Sequence, residues 1–169
     1  MYIERVAWNR LIITRFFIFS SLAPLSGLNA LDTLKKKSCS NRSKEVLNTA
    51  LVAIRAASSS SGENFMNKLH LLEAEQHSVY MNEKNNAISM YNASIASAKR
   101  SGFIHEQGLA CERAGFHCVR EKNNEKALEY FEQARECYED WGSRTKVAFI
   151  QKELDSLNGS TTTTTTTKG

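Results

Sequence analysis

The chain has 169 residues, of which 41% are hydrophobic, and a formal net charge of +4. This length suggests one domain with a core of moderate size. Pro24 is the one proline and β-branched runs are few, which favours helices over strands. The charge is uneven, because residues 1–60 carry nine Lys and Arg against three Asp and Glu.

Residues 1–30 combine a basic lead-in with an apolar run from Phe16 to about Leu25 and a small residue, Ala30, at the end. A secretory signal peptide has this shape. Arg15 separates this run from the apolar residues before it, and Ser20, Ser21 and Pro24 dilute the run itself, so we favour an amphipathic helix that belongs to the fold. The run is also too short to span a bilayer, and we expect no stable membrane insertion.

The segment 35–44, KKKSCSNRSK, concentrates the basic charge. Short charged runs are usually solvated, so it is interpreted as a linker that completes an N-terminal region of residues 1–42. Nucleic-acid binding needs a longer basic face with interleaved aromatic residues. The segment has neither, so we expect no nucleic-acid partner.

Residues 43–158 show helical periodicity throughout. The stretch 43–58 places apolar residues on one helical face, and the serines 58–61 end that helix before Gly62. Downstream, the chain matches itself at an offset of forty residues: Leu69 with Leu109, Ala74 with Ala114, His77 with His117, Val79 with Val119, Ala87 with Ala127, and Gly102 with Gly142. The tetrapeptide EKNN also occurs twice, but thirty-eight residues apart, and is out of register with this repeat.

Each repeat contains a second helix with one stripe of mostly apolar side chains, whose spacing follows the 3.6-residue helical period. The stripe positions are Ala87, Ile88, Tyr91, Ser94, Ile95 and Ala98 in one unit, and Ala127, Leu128, Phe131, Ala134, Arg135 and Tyr138 in the next. Both helices lead to a glycine, Gly102 or Gly142, where a left-handed C-cap is easiest. Trp141, just before Gly142, is expected to pack against the helix that follows.

The helix between these two has an apolar face of small residues, namely Gly108, Cys111, Gly115 and Cys118 together with Ile104. Small side chains let a neighbouring helix approach closely, so both glycines are interpreted as packing residues. Cys111 and Cys118 are seven residues apart and share a helix side, which favours small buried residues over a disulfide. A last amphipathic stretch covers the second repeat, and the Thr-rich tail 159–169 is expected to be disordered.

These units resemble tetratricopeptide repeats, which also place a small residue before a turn and A-x-x-x-F/Y after it. The motifs N-F-x-x-K-x-x-L-x-E-A-E (64–75), A-x-x-x-G-F-I-H-E (98–106), G-L-A-C-E (108–112) and C-Y-E-D-W-G (137–142) resemble the helical region of large multidomain signalling proteins. Those proteins combine kinase-like, AAA-type ATPase, GAF and histidine-kinase domains. The resemblance implies an α-solenoid fragment without their catalytic domains, since no P-loop or kinase loop is present.

The sequence offers no catalytic, cofactor-binding or metal-binding constellation. The histidines lack a complete set of carboxylate or cysteine partners, and His105 with Glu106 are adjacent on a helix and point in different directions. We therefore expect no enzyme and no cofactor.

The expected function is a non-catalytic protein-interaction module in the cytoplasm that binds a protein or peptide partner. It would be part of, or a detached relative of, a large kinase/ATPase signalling protein. The alternative is a secreted or lumenal helical protein with a cleaved leader, for which the sequons at Asn41, Asn92 and Asn158 become relevant.

Overall fold

The computed structural model describes residues 33–61, 65–81 and 83–161, and every regular element within these ranges is helical. Six α-helices follow one another there: α1 (Thr33–Ser61), α2 (Met66–Glu75), α3 (Lys84–Arg100), α4 (Ile104–Arg120), α5 (Asn124–Asp140) and α6 (Arg144–Thr161). A π-helical turn, Gln76–Met81, continues α2. The prediction of an all-α fold is confirmed for this part of the chain.

The helices stack in chain order, each packing chiefly against the one before and the one after it. From α3 onward the spacing is regular, because the helices begin at Lys84, Ile104, Asn124 and Arg144, twenty residues apart. Helices α3, α4 and α5 have 17 residues each, and each is followed by a three-residue turn. The tetratricopeptide-like period of about forty residues stays a prediction.

The three turns share one hydrogen-bonding pattern. In the first, Gly102 has a φ of +69°, its N–H donates to the Lys99 carbonyl, and the N–H of Phe103 donates to the Ala98 carbonyl. Gly142 occupies the same place at φ +78°. The middle turn uses Lys122 at φ +59°, a conformation that a residue with a Cβ adopts at some cost. The two backbone hydrogen bonds of each turn satisfy carbonyl groups that a helix end otherwise leaves without partners.

Two apolar clusters form the core, and α4 contributes to both. Ala110 and Ala114 face a cluster built from α1, α2 and α3, whereas Cys111 and Cys118 face a cluster built from α5 and α6. The stripe residues of the two repeats are buried with no exposed surface at Ala87, Tyr91, Ala98, Ala127, Phe131 and Ala134. Helix α4 is therefore enclosed on most sides, which requires small residues along its length.

Close approach of α5 explains the glycines of α4. A Cβ built on Gly115 would lie 2.6 Å from the Phe131 ring, closer than real Cβ contacts occur. A Cβ on Gly108 would lie 3.0 Å from the ring of Tyr138 and 3.1 Å from Cβ of Cys137. Both positions therefore keep room for a side chain of the neighbouring helix.

Three expected boundaries differ from the structure. The basic segment 35–44 lies inside α1, and so do the serines 58–61, because no proline or glycine interrupts residues 33–61. Helix α1 thus runs through the segment interpreted as a linker and begins before residue 43, the expected start of the helical region, while the division of the chain into domains stays a prediction. Helix α6 continues to Thr161, three residues into the expected tail, because Gly159 weakens a helix without being obliged to end it. The N-terminal apolar segment 1–30 and residues 162–169 lie outside the described residues.

Replacing Gly115 with Leu is expected to lower the free energy of unfolding by more than about 2 kcal/mol, since overpacking a close helix contact typically costs 1–3 kcal/mol. Gly159→Leu is the matched control, because a Cβ at Gly159 meets nothing within 4 Å. Urea unfolding followed by circular dichroism measures both. A Gly115→Leu protein as stable as the parent would contradict the close packing of α4 on α5.

Candidate binding pocket and its polar bridges

A partly enclosed cavity of about 390 Å³ lies where α2, α4 and the start of α6 meet the end of α5. Its size falls within the range of small-molecule and side-chain binding sites. The walls are formed by Asn67, Lys68, Leu71, Ser94, His105, Glu106, Leu109, Tyr138, Trp141, Ser143 and Lys146. Apolar side chains and aromatic rings supply most of this surface, and a few polar groups are placed among them.

On the α2 side, Lys68 and Glu106 form an ion pair with 2.7 Å between Nζ and Oε2. The ammonium group of Lys68 also lies 5.1 Å from the centre of the Phe103 ring. The side-chain amide of Asn67 donates to the same Glu106 carboxylate. Because Asn67 and Lys68 are both almost fully buried, these bonds fix the α2 wall of the pocket against α4.

On the α6 side, Lys146 reaches back to Glu112 of α4, with 2.8 Å between Nζ and Oε2. The Tyr138 hydroxyl donates to the same carboxylate oxygen at 2.7 Å. Burial, and then the Glu112 charge, raise the pKa of Tyr138 well above its ordinary value, so the phenol keeps its proton and remains a donor. This bridge connects α4, α5 and α6 at the other wall of the pocket.

Trp141 stands at the rim with half of its surface exposed. Its ring stacks on His105, with the centroids 5.3 Å apart and an angle of 29° between the planes. A second, tilted contact joins it to Tyr138. Its two aromatic contacts are thus with α4 and with α5, and the expectation that it packs against the following helix stays a prediction. An indole with this much exposed surface is available to a partner.

At the end of α2, Glu75 is fully buried and accepts three hydrogen bonds. Arg113 of α4 donates to it from Nε at 2.9 Å and from a terminal guanidinium nitrogen at 3.1 Å. The hydroxyl of Tyr91, on α3, donates at 2.8 Å. Burial, and then the Glu75 charge, raise the pKa of Tyr91 well above its ordinary value and keep this hydroxyl protonated. One carboxylate therefore ties three helices together.

A chain of polar contacts joins the π-helical turn to the end of α4. Arg120 donates to the Ser78 hydroxyl at 2.7 Å, and that hydroxyl lies 2.7 Å from Nδ1 of His117. His117 is buried and its ring lies beside that of Tyr91. Burial lowers the pKa of His117 below its ordinary value of 6.5, and the Arg120 charge lowers it further.

The residues singled out from sequence occupy two kinds of place. Trp141 lines the pocket, and Gly108 shapes it indirectly through the space it leaves for Tyr138. The others lie in the core or in the turns: Ala87, Tyr91, Gly102, Cys111, Gly115, Cys118, Ala127, Phe131, Ala134 and Gly142.

Sequence reasoning missed the polar residues that bridge between helices. The signal was present as complementary pairs 38 or 39 residues apart, such as Lys68 with Glu106 and Glu75 with Arg113. A comparison that scored only identical residues could not detect them.

Within the described residues, no group of three His, Cys, Asp or Glu side chains is arranged to hold a metal ion. In the same part of the chain, no helix has the length and apolar character needed to cross a bilayer. Cys111, Cys118 and Cys137 are buried and are not joined by disulfides.

Comparison with protein-family models, curated proteins and solved structures finds no match.

Replacing Arg113 with Met is expected to lower the free energy of unfolding by about 3–5 kcal/mol, because it leaves the buried Glu75 without a countercharge. The double variant Glu75→Met/Arg113→Met should lose markedly less, since no unpaired charge remains. Guanidinium denaturation measures all three proteins. Arg55→Met, which breaks the exposed pair with Glu73, is the control and should change stability by at most about 1 kcal/mol. A small effect of Arg113→Met would contradict the bridge.

Acid is expected to destabilise the fold through His117. The unfolded chain binds the proton more readily than the folded chain, so this contribution is complete above pH 6.5 and is lost as the pH falls below 6.5 toward the folded pKa. The free energy of unfolding should therefore fall between pH 7.5 and 5.5, and His117→Gln should reduce this fall. Urea titrations at several pH values measure the free energy of unfolding of both proteins. An equal fall in both proteins would exclude His117 as the cause.

Proposed function

We propose that the chain is a non-catalytic helical-repeat module whose pocket takes a side chain of a protein or peptide partner. The observation that carries this proposal is the half-exposed Trp141 at the rim of a pocket of about 390 Å³. Tryptophan is enriched among the residues that dominate binding energy at protein interfaces. The two lysines that line the pocket, Lys68 and Lys146, each form an ion pair with a carboxylate of α4, which supports a structural role for them.

The stacking of consecutive helices supports a tetratricopeptide-like α-solenoid. Contacts also skip one helix, as in Lys68 with Glu106 between α2 and α4, and Asn92 with Tyr130 between α3 and α5. In helical-repeat proteins each unit buries its apolar face on its neighbours and the stack presents an extended binding surface. This arrangement suits a scaffold better than a chemical catalyst.

The resemblance to the helical region of large kinase/ATPase signalling proteins supports a role in signal transduction within the cytoplasm. That relationship has its own test, which is independent of binding. Genomic sequence immediately upstream of Met1 that encodes an ATPase module in frame would establish it. An unrelated upstream gene ended by its own stop codon would argue for a detached relative.

Selection of a random-peptide display library on the full chain is expected to enrich ligands that lose about tenfold or more in affinity with Trp141→Ala, as residues at the centre of an interface do. Fluorescence polarisation of the selected peptides measures this loss. Val52→Ala is the matched control, because Val52 is exposed on α1 and does not line the pocket. The proposal fails if no ligand is enriched, or if Trp141→Ala and Val52→Ala bind alike.

A further inference from the structure

A serine hydroxyl and an imidazole meet where the π-helical turn Gln76–Met81 contacts the end of α4. Oγ of Ser78 lies 2.7 Å from Nδ1 of His117, and a guanidinium nitrogen of Arg120 lies 2.7 Å from the same Oγ. None of these three residues lines the pocket beside Trp141. Single π-helical turns are frequent at functional sites. The cluster is therefore a second place on the molecule where chemistry can occur.

The hydrogen bonds of the cluster have a defined direction. A guanidinium group carries only donors, so Arg120 occupies a lone pair of the Ser78 oxygen. The hydroxyl hydrogen of Ser78 is then free to point at Nδ1 of His117, which accepts it when the imidazole is neutral. Burial lowers the pKa of His117 below 6.5, and the Arg120 charge lowers it further, so the ring is neutral at pH 7. The imidazole is thus in the protonation state that can take a proton from the serine.

The surroundings hold the base in place and leave the serine partly exposed. His117 is 3% exposed, and its ring lies beside that of Tyr91. Ser78 is half-buried and Arg120 is exposed, so the cluster lies at the surface of the stack. A nucleophile within hydrogen-bond distance of a fixed base is the arrangement that activates a serine. The positive charge of Arg120 stabilises the negative charge that develops on oxygen as the proton leaves.

We propose that Ser78 is a reactive serine that accepts an acyl group from an activated ester, with His117 as its general base. Oγ of Ser78 attacks the carbonyl carbon of the ester, and its proton passes to Nδ1 of His117. The bond from that carbon to the leaving oxygen then breaks, the oxygen keeps the electron pair, and the imidazolium gives its proton to the leaving group or to water. The product is an ester on Ser78, and nothing is oxidised or reduced.

This site of covalent modification goes beyond the proposed function and does not depend on it. The cluster and the pocket share no residue, so a negative result at Ser78 leaves the interaction module standing, and a pocket that binds no peptide leaves the reactive serine standing.

The test exposes the full chain to p-nitrophenyl acetate and maps the acetylated residues by tandem mass spectrometry. Ser58 is the matched control, because its hydroxyl is also half-buried but donates to the backbone carbonyl of Arg55, which is not a base. We expect Ser78 to be acetylated about a hundredfold faster than Ser58, since a general base contributes roughly 10²–10⁴-fold. His117→Gln should lose most of this difference while keeping the helical circular dichroism of the parent.

The variants Ser78→Cys and Ser58→Cys test the same geometry without changing His117. A thiol beside an imidazole and a guanidinium has a lowered pKa and reacts faster at neutral pH. Iodoacetamide should therefore alkylate position 78 in Ser78→Cys about tenfold faster than position 58 in Ser58→Cys. Three results would each overturn the proposal: equal acetylation of the two serines in the parent, equal alkylation of the two thiol variants, or acetylation of Ser78 that a folded His117→Gln protein leaves unchanged.

Discussion

The buried carboxylate of Glu75 sets the strictest condition on this fold. A charged group without solvent exposure is tolerated only when hydrogen bonds and a countercharge replace its water. Arg113 and Tyr91 provide them, and they come from two different helices. A packing of α2, α3 and α4 that separated these groups would leave the buried carboxylate without its partners. The α2 wall of the pocket, one to two turns before Glu75, takes its position from this arrangement.

Helix α4 connects the Glu75 bridge to the rest of the stack. Its face toward α2 and α3 holds Arg113, while its opposite face holds the glycines that let α5 approach. The space left by Gly108 admits Tyr138, whose hydroxyl then meets Glu112 and Lys146. Close packing and polar bridging thus act together, because the glycines bring the bridging groups within hydrogen-bond distance. The pocket is a consequence of both.

The apolar stripes were predictable because burial on a helix repeats every 3.6 residues, and Tyr91, Phe131 and Ile150 have no exposed surface. The polar bridges between helices were not predictable, since Glu75 and Arg113 look like surface residues until a partner 38 residues away is known. The stacking of Trp141 on His105 was not predictable either, because a helix-end aromatic ring can turn to either side. The basic segment 35–44 was assigned to a linker because its charge obscured an uninterrupted helix.

Native-state hydrogen exchange of the parent and of Arg113→Met tests most directly whether the Glu75 bridge joins three helices into one cooperative unit. If it does, the slowest amides of α2, α3 and α4 exchange with one common opening free energy in the parent, and the variant lowers all of them by the same amount. A loss of protection confined to the turns next to Glu75 and Arg113, with α3 unchanged, would contradict the account.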